Sequence, residues 1–272
     1  GTHSSRFLHQ LVSSQLDVDR LDFLRRDSFY TGVSEGVINT DRIIDMLNVA
    51  DDELVVEAKG IYSVEKFIVA RRLMYWQVYL HKTVIAAEKM LTSLLERARW
   101  LISQGYDLFM TPALAVFLRK DTTAQDLTND PVLLETFAML DDADIFTSIK
   151  VWSSHPDTIL SVLCNGLVMR NLFRIEIRNA PIEPAEIREI KEQAALEFRI
   201  PFEQSDHLVF TDLISNKAYD PYIDGIKILD RDGSVTEMER ASEQLSVALL
   251  SKKVTKYYVC YPKNLIFNRF SS

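Results

Sequence analysis

The sequence is sparing with the residues that interrupt regular structure: 8 glycines and 8 prolines in 272 residues, with long stretches between them. That scarcity moves the expectation towards helix. Its two cysteines, Cys164 and Cys260, lie far apart and form no CxxC pattern. Such usage suits a reducing cytosol, and neither thiol has a neighbouring cue for nucleophilic activation, so a cytoplasmic protein is expected. No uninterrupted apolar run approaches the roughly 20 residues of a membrane span, so no membrane partner is expected. Basic residues are outnumbered, giving a net charge of −8. A broad nucleic-acid surface is thereby excluded, because phosphate binding on that scale needs clustered Lys and Arg, yet a small basic pocket for one anionic metabolite is not. Gly-rich phosphate loops and a GxSxG elbow are both missing.

What is present is ordinary for a globular chain: 47% hydrophobic and 26% charged residues. The length allows a substantial core in one or two domains. Helical periodicity runs from Arg6 to Asp27, with Thr31-Gly32 as its stop, and Asn39-Thr40-Asp41 can cap a short helix through Leu47. Residues 54–60 read as a short strand or an extended connection. A long helix is expected from Ser63 through Met90 and Leu95, then a break at Gly105, another short helix, and a further one opened by Thr111-Pro112. KDTTAQDLTNDP (120–131) is a loop candidate, followed by helices near 131–140, 144–152 and 155–165. The pattern changes near residue 170. FRIEI (173–177), HLVFTDL (207–213), IKILD (226–230) and KYYVCYP (256–262) resemble strands, Arg231-Asp232-Gly233 a hairpin turn, and residues 184–199 and 237–251 helices. The fold class expected is mainly α, a helical region over 1–170 followed by a smaller α+β region over 171–272.

Two segments concentrate chemistry. In SSQLDVDRLDFLRRDSFYTGV (13–33), Asp19, Phe23 and Asp27 are spaced four apart and share one helix face, with Arg20 on the adjoining flank. A carboxylate at the helix start can ligate a hard cation, Arg20 can meet a phosphate, and Asp27 can accept hydrogen bonds from a polar ligand. The plainer reading is that Asp17 or Asp19 caps the helix and Arg25 and Arg26 are solvated. On spacing alone that reading is the stronger. In ARRLMYWQVYLHK (70–82), Arg71, Tyr75 and Tyr79 form a second stripe. A guanidinium followed by two phenols can grip phosphate, sugar hydroxyls and a base ring, although aromatic stripes at this spacing usually pack into a core.

Taken together and in this order, the two segments resemble HD-domain phosphohydrolases. The likeness is greatest to their deoxynucleoside triphosphate triphosphohydrolase branch, which includes the SAM- and HD-domain enzyme. It covers roughly residues 6–173, with LLERAR, MLDDADIF and RNLF as weaker echoes. The resemblance implies that Asp19 is the last protein ligand of a divalent metal, with Mg, Mn, Fe, Ni and Zn not distinguished. It also implies that Arg20 and Arg71 contact phosphate, that Asp27 contacts the deoxyribose 3′-hydroxyl, and that Tyr79 packs under the sugar beside Tyr75. The implied reaction is metal-dependent hydrolysis of a dGTP-like nucleotide to a deoxynucleoside and triphosphate. The implied partners are a nucleotide or other small phosphorylated ligand and further copies of the chain, with the α+β region regulatory or oligomerising.

Three departures stand out. Phe23 replaces a tyrosine usual in this branch, and Tyr75 stands where a vertebrate member has histidine. The early histidine and the His-Asp pair that complete an HD site are missing: no His-Asp dipeptide occurs, and only His3 and His9 precede Asp19. The expectation is a C-terminal piece of a longer enzyme, inactive by itself; a noncatalytic nucleotide-sensing or interaction module is the alternative, and hydrolysis of another phosphorylated metabolite a third reading. Lesser candidates are His81-Lys82, read equally well at a pocket edge or partly buried on the helix, an acidic cluster at Asp141, Asp142 and Asp144, and an anion patch of Arg170, Arg174 and Arg178. The cluster and the patch are better read as a helix start and solvated strand charges, and His207 and Cys260 as packing or surface residues.

Overall fold

A computed structural model describes residues 5–216, 219, 225–242 and 253–265. The protein is mainly helical, with two small sheets and a C-terminal α+β part. It divides into two compact units: Gly1–His81 with Ile214–Thr255, and Lys82–Leu213 with Lys256–Ser272. This division does not follow the 1–170 and 171–272 split of the sequence pattern, because strands late in the chain complete a sheet begun near residue 47.

In the first unit, the expected single helix from Arg6 to Asp27 is two: α1 (Arg6–Val12) and α2 (Val18–Thr31). The break follows from Ser14 and Asp17, whose short polar side chains bond locally to the backbone rather than extend a helix. Asp17 is the N-cap and its carboxylate accepts the Arg20 N–H at 2.8 Å. At the other end Gly32 takes the left-handed conformation, φ 71°, that a C-terminal glycine permits. Asn39 caps α3 (Thr40–Asp45), which ends before Leu47 because Leu47–Ala50 (β1) pairs antiparallel with β2 (Glu53–Glu57). β2 in turn pairs parallel with β5 (Lys227–Leu229), and β5 pairs with β6 (Val235–Glu237) across the Arg231-Asp232-Gly233 turn. α12 (Met238–Ala241) follows; residues 243–251 of the helix expected there lie outside the described residues. The core is formed by Leu21, Leu24, Ile43, Val56, Phe67, Ile68 and Met74 with Ile228 and Met238, all essentially out of solvent.

The helix expected from Ser63 through Leu95 is broken as well. α4 (Ile61–Met74) runs into a π turn, Tyr75–Tyr79, in which the Leu80 N–H reaches back to the Tyr75 carbonyl at 2.7 Å. A new helix, α5 (Lys82–Ser103), begins afterwards in the second unit.

Around α5 the second unit arranges α6 (Pro112–Arg119), α7 (Ala124–Asn129), α8 (Pro131–Ala138), α9 (Asp142–Trp152), α10 (Thr158–Val168) and α11 (Pro184–Phe198). A three-stranded sheet has the order β3 (Arg174–Arg178), β7 (Val254–Tyr261), β4 (Phe210–Asn216). No helix forms between Gly105 and Thr111: Leu108 is buried and the Trp152 indole N–H holds the Phe109 carbonyl at 2.9 Å, fixing an irregular segment. Within 120–131, expected as a loop, Thr123 and Asp126 form a reciprocal capping box that starts α7. Among the described residues no helix is long and apolar enough to cross a membrane.

Candidate functional site

Within the first unit, α2 and the end of α4 bring the two charged segments together. The Tyr79 hydroxyl donates to Asp27 Oδ2 at 2.7 Å. Phe23 meets the Tyr79 ring edge-on at 6.0 Å between centroids, and Tyr75 meets it at 5.0 Å. The Arg71 guanidinium lies 5.9 Å from the centre of the Tyr75 ring, within cation–π range. The π turn carries both tyrosines, and such turns recur at functional sites. Asp27, Arg71, Tyr75 and Tyr79 are all half-buried, so each presents one side to solvent and one to protein.

The electrostatics sort these groups by role. Burial, then the bond to Asp27, pushes the Tyr79 phenol well above its ordinary value, so it remains a neutral donor. Burial, then the like charge of Arg20, lowers Arg71, although a guanidinium stays protonated. Arg20 is folded back over its own helix start: Nη1 donates to the buried Asp17 carboxylate and to the Ser14 carbonyl. Its charge is compensated, whereas Arg71 donates from Nη1 to the neutral Gln15 Oε1 at 3.2 Å and makes no ion pair among the described residues. Gln15 carried no signal in the sequence, because it sits in the turn between two helices and 56 residues separate it from Arg71.

Asp19 stands apart, exposed in the first turn of α2. Among the described residues no group of three His, Cys, Asp or Glu is placed to hold a metal ion. One exposed carboxylate does not make a divalent-ion site, which needs several ligands in fixed array. The residues of this chain therefore do not by themselves fit the metal that the resemblance implies.

The lesser candidates resolve into structure. Asp141 caps α9 with Asp144 in a capping box, as a helix start should. Arg178 is paired with Glu186 at 2.6 Å and Glu176 at 3.0 Å, and Arg174 and Arg170 are exposed. His81 is exposed. His207 accepts the Ser93 hydroxyl through its backbone carbonyl, and Cys164 and Cys260 are buried with their thiols pushed up to about 12 by that burial. A cleft of about 660 Å³ flanks another face of α2, lined by Arg25, Phe29, Asn39, Thr40 and Lys66 among others, and shares no residue with the Asp27–Tyr79 pair.

Residues 38–105, which include Arg71, Tyr75 and Tyr79, match a family described as the HD associated region. A solved phosphohydrolase from Bacteroides thetaiotaomicron is 53% identical with a TM-score of 0.90, over 95% of this chain and 64% of that one. The uncharacterized protein YwfO of Bacillus subtilis is 33% identical over 97% of this chain and 60% of its own length. A deoxynucleoside triphosphate triphosphohydrolase SAMHD1 homolog from Dictyostelium discoideum is 32% identical over 88 residues, 31% of this chain and 17% of that protein. The chain thus spans about three fifths of the length of the relatives it matches along its whole extent. These matches support kinship with the HD-domain phosphohydrolases.

Proposed function

We propose that the chain supplies the ligand-holding wall of a metal-dependent HD-domain phosphohydrolase that converts a dGTP-like deoxynucleoside triphosphate to deoxynucleoside and triphosphate. The observation that carries this reading is the Tyr79–Asp27 hydrogen bond beside an Arg71 that makes no ion pair among the described residues. A carboxylate already oriented by a phenol can accept a sugar hydroxyl, and an uncompensated guanidinium attracts phosphate. Tyr75 and Tyr79 offer ring surface to the sugar or base. In such hydrolases a divalent ion supplies Lewis acidity. Asp19 is assigned as one of its ligands, the remainder belonging to a part of the relatives' length that this chain does not span.

The test is a deoxynucleotide panel with Mg²⁺ or Mn²⁺ on a form of the protein as long as its relatives. Inorganic triphosphate should be released, and Asp19→Ala should abolish the release. Unchanged turnover in that variant removes Asp19 from the metal site. Nucleotide binding without turnover would instead favour a sensing module. A second reading, hydrolysis of another phosphorylated metabolite, draws on Phe23, whose ring packs against Tyr79 where a hydroxyl for the sugar would otherwise be found.

A further inference from the structure

The turn between α1 and α2 touches both arginines of the site. Asp17 accepts the Ser14 N–H at 3.3 Å and the Arg20 N–H at 2.8 Å, and Ser14 Oγ accepts the Leu16 N–H at 3.2 Å, so the turn has a fixed shape. From it Gln15 reaches Arg71, whose Nε is buried with no hydrogen-bond partner. The two contacts differ in kind. Asp17 is anionic and cancels the charge of Arg20. Gln15 is neutral: its amide oxygen orients a guanidinium and leaves the charge in place. A glutamate would reach equally far and orient Arg71 more firmly, but it would answer that charge with its own.

We propose that Gln15 is a positioning residue for anion binding, holding Arg71 in place while keeping its positive charge available to a phosphate group of the ligand. The proposal rests on the reading of this site as phosphate-binding and extends it to a residue outside both charged segments. It makes the turn the element that sets the charge of the site, with one arginine in an ion pair and the other held by a neutral amide.

The experiment compares the wild-type chain with Gln15→Glu and Gln15→Met. Calorimetric titration uses inorganic tripolyphosphate and dGTP, and thermal unfolding is measured without ligand. Gln15→Glu should unfold at or above the wild-type temperature yet bind tripolyphosphate at least tenfold more weakly. Gln15→Met, neutral and of similar length but without the acceptor, should fall between the two. A residue that served stability alone would give the opposite pattern, with binding following the unfolding temperature. Tripolyphosphate affinity in Gln15→Glu within twofold of wild type overturns the proposal, as does a wild-type chain that binds no tripolyphosphate. If Gln15→Glu does not fold, wild-type affinity in Gln15→Met overturns it instead. Should tripolyphosphate behave as expected while dGTP binds no tighter, the nucleotide reading fails and the role of Gln15 stands.

Discussion

Arg71 in the first unit, half-buried, and Arg97 in the second, buried, both sit on helices, and their surroundings are opposite. Arg97 forks onto Asp157 with bonds of 3.1 and 2.6 Å, adds Gln204 at 3.3 Å, and lies 4.2 Å from the Trp100 ring centre. Its charge is answered by a carboxylate, and the result is a clamp joining α5 to the start of α10. Arg71 has an amide, the face of the Tyr75 ring and a buried Nε without a hydrogen-bond partner among the described residues. Holding a guanidinium partly out of water without an ion pair lowers stability, a cost that the proposed phosphate ligand of Arg71 would offset. What separates Arg97 from the proposed binding role of Arg71 is the carboxylate partner, which only Arg97 has among the described residues.

The comparison is open to direct attack. Arg97→Met should have the largest effect, about 3–5 kcal/mol of lost stability by denaturant unfolding, because it strands the mostly buried Asp157 carboxylate. Its pH dependence should also change sign. In the wild type, burial alone would raise Asp157, but the Arg97 fork and the Leu160 N–H outweigh it and hold the carboxyl below its ordinary value. That contribution is complete above the unfolded carboxylate range, near pH 4, and is lost as pH falls through the lower folded value. Without Arg97 burial prevails, the folded value rises, and the variant's deficit should narrow on acidification. A deficit that stays constant from pH 7 to 3 would show that Asp157 does not depend on Arg97.

Arg71→Met should do the reverse. Stability should change by less than about 1 kcal/mol, because no anion is stranded, while tripolyphosphate affinity falls tenfold or more. A large loss of stability with unchanged affinity would place Arg71 beside Arg97 as a structural residue. Tyr79→Phe should cost about 1.5 kcal/mol, at the low end for a bond to a carboxylate because the pair is only half-buried. Its dGTP affinity should fall more than its tripolyphosphate affinity, since Asp27 loses its orienting donor. The smallest effect is expected from Phe23→Tyr, a few-fold gain for dGTP with tripolyphosphate unaffected. Equal gains for both ligands would deny this position any part in sugar recognition.

Much of the local structure was legible in the residues. Asp17, Asn39, Thr111 and Asp141 start helices where capping chemistry predicts, and Gly233 turns the β5–β6 hairpin at φ 86°. The failures share one cause, partners distant in sequence. YWQVY reads as uninterrupted helix, and nothing in it announces a π turn. β1 reads as a helix end until β2 is placed beside it. The site was legible as two helical faces but not as one place: 52 residues separate Asp27 from Tyr79, and only the family resemblance joined them. For Gln15 and for the Arg97–Asp157 clamp, spacing along the chain carries no trace of the contact.

The parallel pairing of β2 with β5 has a consequence in time. Glu53 and Lys227, which bond across that sheet, are 174 residues apart. At ordinary rates of synthesis roughly ten to thirty-five seconds separate their emergence from the ribosome. Throughout that interval the Asp27–Tyr79 wall exists as sequence without Ile228 and Met238 to close its core, and one edge of β2 waits unpaired. The second unit's main stretch, Lys82–Leu213, is made entirely within this delay. The unit proposed to hold the ligand is thus the first begun yet is completed only by residues 214–255, so its proposed ligand meets a finished wall only after most of the chain has been translated.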